Sequence, residues 1–81
     1  MSKAEILRQL NEIFIDVLDD DRIILIEATV ASGVDAWDSL THIQLVVAVE
    51  KHFKIRFASR EIQGWGDVGA MVACIEEKLL V

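Results

Sequence analysis

Residues 37–57 read WDSLTHIQLVVAVEKHFKIRF, and the spacing within them decides the fold. Ile43, Val46, Val49 and Phe53 recur at steps of three and four, which predicts a long buried helix with Asp38 and Ser39 at its N-terminal edge. On a helical wheel Ile43, Leu45, Val46, Val49 and Phe53 are expected to face a core, and Leu40, Gln44, Val47, Lys51 and Lys54 to lie on the other side. Asp38 is a candidate N-cap. Ser39 either caps the helix or carries a covalently attached group. The first N–H groups of a helix lack intrahelical partners and form the positive end of its dipole, so a phosphate esterified to Ser39 is expected to be favoured there. Leu40 and Val47 beside it form a small apolar patch of the kind that docks a partner, although scattered surface apolar residues are also ordinary.

The rest of the chain also reads as helix. Ser2-Lys3-Ala4-Glu5 has the S-x-x-E form of a capping box, and Ile6, Leu7, Leu10, Ile13, Phe14, Val17 and Leu18 then mark one apolar face. Asp19, Asp20 and Asp21 are unfavourable at the negative end of a helix and predict its exit into a loop. Residues 19–38 form a long connection. Ile23, Ile24, Leu25, Ile26, Val30 and Val34 are expected to pin it across the bundle with a short turn of helix; a strand at Ile23 to Ile26 is the rival reading, with no second strand to pair with it. Ser59 and Asp67 are the N-caps expected for a short third helix and a last helix, separated by a break at Gly64-Trp65-Gly66. Val68, Met71, Val72, Ile75, Leu79 and Leu80 should form the last apolar face.

Composition narrows the function. A chain of 81 residues is too small for a large preformed active-site cavity, which favours a carrier, adaptor or binding module over a self-sufficient enzyme. The single cysteine and the lack of a Cys/His cluster leave neither disulfide nor metal as a staple, so stability must come from an apolar core. Hydrophobic residues make up 53% of the chain, mean hydropathy is +0.39 and proline is absent, all compatible with an all-helical bundle. A net charge of −6 disfavours nucleic acid and makes basic proteins the natural partners. The longest apolar runs are only five or six residues, such as Leu45 to Val49, far below the roughly twenty that span a bilayer, so no stable membrane insertion is expected. MSKAEILRQLNEIF lacks the features of a signal peptide, and a cytoplasmic, reducing location is expected.

Length, acidity, four-helix pattern, long first loop and Asp38-Ser39-Leu40 opening the second helix together resemble the acyl carrier proteins. The resemblance spans the chain; WDSLTHIQLVVAVEKHFKIRF matches the family signature through Glu50 and Phe53, and Val68 falls where the family starts its last helix with an apolar residue. It implies an all-α, four-helix acyl-carrier-like bundle with a long first loop and a short third helix, forming a single carrier domain over residues 1–81. For Ser39 it implies covalent attachment of 4′-phosphopantetheine, taken from coenzyme A by a phosphopantetheinyl transferase. Asp38 would help that transferase as well as cap the helix. Acyl groups would ride on the arm's thiol as thioesters, and the chain itself would be a non-catalytic monomer. Its partners would be acyl-activating ligases, synthases or acyltransferases, contacting Leu40, Gln44, Val47 and Lys51. Trp37, His42 and Trp65 are candidates for the surroundings of the arm, although a partly buried or solvated histidine is the plainer reading of His42. Cys74, among apolar neighbours on the last helix, is expected to be a buried structural residue.

The chain also departs from the housekeeping fatty-acid carriers, which have a strongly acidic second helix followed by proline. Here Glu50 is the one acidic residue between Ser39 and Arg56, against Lys51, Lys54 and Arg56, and the negative charge lies largely in Asp16 to Asp21 and Glu76-Glu77. Trp37 and the Gly64-Trp65-Gly66 turn are further departures. Trp-Asp-Ser-Leu is similar to dedicated carriers, which implies a specialised lipid, envelope or secondary-metabolite pathway; aminoacyl, peptidyl and polyketide cargo remain alternatives. In another class stands an unmodified helical interaction module. A serine hydrolase built on Asp38, Ser39 and His42 fails because the three are crowded into one helical turn with no oxyanion hole.

Overall fold

Ser2 opens the first helix as its sequence pattern requires: its hydroxyl accepts the Glu5 N–H at 3.2 Å, and α1 runs Lys3–Leu18. The computed structural model describes residues 1–80; Val81, the last residue of the expected 1–81 domain, lies outside them. Ile6, Leu10, Ile13, Phe14 and Leu18 are buried along one stripe, with Leu7 and Val17 at its margins. The helix ends because Asp19 turns left-handed, φ 52°, and returns its N–H to the Ile15 carbonyl. A short-chain acid tolerates that conformation, so backbone geometry as well as charge stops the helix.

Helix α2 spans Ser39–Phe53, α3 Ser59–Gln63 and α4 Val68–Leu79, with a 3-10 turn at Ala31–Gly33 and no strand among the described residues. The all-α, four-helix architecture is therefore as expected. The α1 helix packs against both α2 and α4. The shared core joins the α1 stripe to Leu45, Val49 and Phe53 of α2 and to Val68, Met71, Val72 and Ile75 of α4. The radius of gyration is 11.5 Å, about that of a compact domain of this length.

The long connection is held only in part as expected. Ile23 and Leu25 are buried and Val34 is half-buried, but Ile24, Ile26 and Val30 are exposed. Alternation in this extended stretch sends neighbouring side chains to opposite sides, so half of its apolar residues face water. Polar stitches replace them. The Asn11 side chain donates to the Ile23 carbonyl at 3.1 Å and accepts the Leu25 N–H at 2.6 Å, tying the loop to α1. At the other end the Val68 and Gly69 N–H groups donate to the carbonyls of Thr29 and Glu27, at 2.9 and 2.7 Å. These are donors that the first turn of a helix leaves without intrahelical partners, and the loop supplies acceptors for them. Gly69 suits this crossing: a Cβ there would stand 3.1 Å from the Glu27 carbonyl oxygen, close enough to push the loop outward by a few tenths of an ångström.

Other expectations are corrected at helix ends. Ala58, not Ser59, is the N-cap of α3, because Glu61 reaches back and its carboxylate accepts the Ala58 N–H at 2.7 Å. Ser59 is already inside the helix. Asp67 caps α4 as expected, accepting the Ala70 N–H at 2.9 Å. Leu80 leaves the apolar face because α4 stops at Leu79, and it is exposed. Cys74 is half-buried instead of buried, its Sγ 3.6 Å from Glu61 Oε2. Partial burial, then the nearby Glu61 charge, pushes its thiol pKa upward and keeps it protonated.

Candidate functional site

The start of α2 is built by Asp38. Its backbone is extended, and its Oδ1 accepts the N–H groups of Leu40 and Thr41 at 3.0 and 2.9 Å. Thr41 completes a reciprocal box: its hydroxyl accepts the Asp38 N–H at 2.8 Å and donates to the Ala36 carbonyl at 2.7 Å. The bond from the Thr41 N–H, followed by weaker contributions from its hydroxyl and the Leu40 N–H, holds the Asp38 carboxyl below the usual aspartate range. The Thr41 contribution was not read from the sequence; D-x-x-T is a capping-box spacing with threonine where glutamate is the usual partner.

Asp38 caps the helix, so Ser39 does not. Ser39 is the first helical residue, exposed, and its hydroxyl makes no hydrogen bond among the described residues. The expected welcome for a phosphate at this helix end is corrected in part: the Asp38 carboxylate already occupies the Leu40 and Thr41 donors. What the site offers is an unencumbered hydroxyl beside a shallow depression lined by Ala31, Trp37, Asp38, Ser39 and His42.

Trp37 is the largest side chain lining that depression. It is buried against Phe14, edge to face at 4.9 Å between ring centroids, and stacks on His42 at 6.0 Å. Its Nε1–H donates to His42 Nδ1 at 3.0 Å, and because an indole N–H can only donate, that imidazole nitrogen must be the acceptor. His42 also meets Trp65 edge to face at 6.3 Å, and Trp65 meets Phe57 at 4.8 Å. Trp37 and His42 thus line the depression beside Ser39, and Trp65, from the turn before α4, reaches this cluster through His42. Ala31 and Trp37 also line a second, small depression with Trp65, Gly66, Asp67 and Met71. Ala31 was not a sequence candidate, since nothing in its local pattern marks it.

The outer face of α2 carries the expected docking residues. Leu40, Gln44, Val47 and Lys51 are all exposed and separated by three or four residues, so they form one strip. Ile43 joins them. It was expected in the core, but at 64% it is one of the more exposed apolar side chains, beside Leu40 at 68% and Val47 at 43%. With roughly 100° between successive residues, the buried Leu45, Val46, Val49 and Phe53 centre on the His42 direction, and Ile43 falls about a quarter turn away. A spacing of three from Val46 was compatible with the core but did not require it.

No helix of the described residues is long and apolar enough to cross a membrane. Residues 8–75 match the family model described as a phosphopantetheine attachment site. Among solved structures, the chain is similar to the solution structure of a holo acyl carrier protein from Geobacter metallireducens, with 44% identity and a TM-score of 0.87. That alignment covers 91% of this chain and 85% of the other. No curated protein matches the sequence.

Proposed function

The chain belongs to the phosphopantetheine-binding acyl carrier protein family, and from that membership we propose that Ser39 is its attachment residue. Members of the family are carriers without catalysis of their own, they bear a phosphopantetheine group, and they interact with synthases and transferases. When attached, that group supplies a thiol on which acyl cargo is held as a thioester. The observation that carries the assignment is the exposed, unbonded hydroxyl of Ser39 directly after a capping carboxylate. Asp38 holds the first turn in place and offers its remaining oxygen to the transferase. The residues around Ser39 fit a flexible arm: the hydroxyl opens to solvent, and Trp37 and His42 offer an apolar wall along the neighbouring depression.

Leu40, Gln44, Val47 and Lys51, with Ile43, form the face that we assign to partner enzymes. The pathway we favour is a specialised lipid, envelope or secondary-metabolite one, because α2 lacks the acidic character of the housekeeping carriers. A monomer suits the small compact shape, and a free thiol at Cys74 suits a reducing cytoplasm.

Intact mass after incubation with a phosphopantetheinyl transferase and coenzyme A tests the attachment. Wild type should gain the mass of one phosphopantetheine group, and Ser39→Ala should gain none while keeping its helical circular dichroism. A wild-type chain left unmodified while a control carrier is loaded would sink the proposal.

A further inference from the structure

The far end of α2 differs in charge from the rest of the molecule. Lys51, Lys54 and Arg56 are three of the eight lysines and arginines in a chain of net charge −6, and all three are exposed. They line one groove with Val47, Glu50 and Ile55. The chain reversal after Phe53 builds it: Lys54 turns left-handed, φ 58°, and both its N–H and that of Ile55 return to the Glu50 carbonyl. Arg56 is thereby brought back to the groove that Lys51 lines.

None of these cations is held in an ion pair among the described residues, and the lining carries three of them against one acid. The ion pairs among the described residues join Arg8 to Glu5 and Glu12, Arg22 to Asp20, and Lys78 to Glu61, and none reaches the groove. Glu50 is the one acid in its lining, and its Oε2 accepts the Phe57 N–H at 2.9 Å. Val47 belongs both to the groove and to the exposed strip with Leu40 and Ile43. We propose that this groove docks an acidic protein surface, with carboxylates of the partner meeting Lys51, Lys54 and Arg56 while its apolar residues cover Leu40, Ile43 and Val47. The inference rests on the assignment of the α2 face to partner enzymes and gives that partner its chemistry.

Net charge alone suggests the opposite partner, but it acts at long range. Charge is screened over about 8 Å at physiological salt, whereas the molecule measures 33 × 24 × 22 Å, so the groove's own charges count for more at contact than the net charge; Glu5, which reaches His52 through Gln9, is already paired with Arg8. A basic enzyme patch laid on this groove would bring like charges together as it desolvated them. An acidic patch gains both the contact and the burial of the strip.

The probe is a pair of synthetic amphipathic helical peptides, one with glutamates and one with lysines on the polar face and both with leucines on the apolar face, titrated into the labelled full chain. The glutamate peptide should shift amides of residues 47–56 saturably and bind at least about tenfold more tightly than the lysine peptide, more so at low salt. The triple variant K51E/K54E/R56E should reverse the preference, a gain of binding that unfolding cannot produce. Equal binding, a preference for lysine, shifts centred elsewhere, or no binding by either peptide would overturn the proposal. So would tighter binding to phosphatidylglycerol vesicles than to the glutamate peptide, which would make the groove a lipid site. Loading at Ser39 is read by mass on the same samples. A chain that takes the arm but ignores peptide charge loses the docking site alone, and one that prefers glutamate but never takes the arm loses the attachment residue alone.

Discussion

Helices α1 and α2 are nearly equal in length, 16 and 15 residues, yet they divide the work of the molecule differently. The first sends its long apolar side chains to one side and buries five of them. The second is apolar on two sides: Leu45, Val46, Val49 and Phe53 are buried, while Leu40, Ile43 and Val47 remain in water. A helix whose apolar residues exceed what its core contact can cover is available for something else. Here the surplus lies on the strip that begins beside Ser39 and ends beside Lys51, the face we propose for partner enzymes, whereas α1 serves the core.

Substitutions can break that contrast. The largest effect is expected in α1: Phe14→Ala removes a fully buried ring that also braces Trp37 and should cost about 3–5 kcal/mol, most of the stability of so small a domain, in urea unfolding. Next comes Asn11→Ala, which deletes both stitches to the long connection. It should cost about 2 kcal/mol and raise amide exchange at Leu25 before that of the helices. On α2, His42→Ala leaves the Trp37 indole N–H without its acceptor and should cost about 1–2 kcal/mol, with a shift in tryptophan fluorescence. Ile43→Gln should change stability by less than about 0.5 kcal/mol while weakening acyl transfer from partner enzymes. Equal destabilisation by Ile43→Gln and Phe14→Ala would erase the distinction between the helices.

The smallest effect concerns pH. Asp38 has its pKa depressed in the folded state, so its contribution is fully present above the unfolded-state value and fades as pH falls through the lower folded one. Urea midpoints should decline for that reason on the acid side of the normal aspartate range. Asp38→Asn keeps a competent cap without the charge and should flatten that part of the profile.

How far the residues alone went is clear from particular positions. The α1 stripe, the caps at Ser2, Asp38 and Asp67, and the exposure of Leu40 and Val47 all followed from local spacing. Local spacing misplaced Ile43, because a step of three places a residue near a face without saying how wide the face is. For the loop it was half right: Ile23 and Leu25 are the hydrophobic pins expected, but Ile24, Ile26 and Val30 are exposed, and Asn11 and the first turn of α4 add hydrogen bonds that counting apolar residues did not suggest. Ser59 missed its expected role for a similar reason, since the Glu61 side chain, three residues after Ala58, settles where α3 begins.

By itself the sequence determined the helical class, the placement of Asp38 and Ser39 at the start of α2, and the family, because helix periodicity, capping and motif are properties of neighbours in the chain. Only the tertiary structure decided which apolar residues of α2 stay exposed, that Trp65 meets His42, and that Lys51, Lys54 and Arg56 share one groove. Those facts depend on how helices pack and where the chain reverses, and burial and charge proximity exist only once distant segments share space.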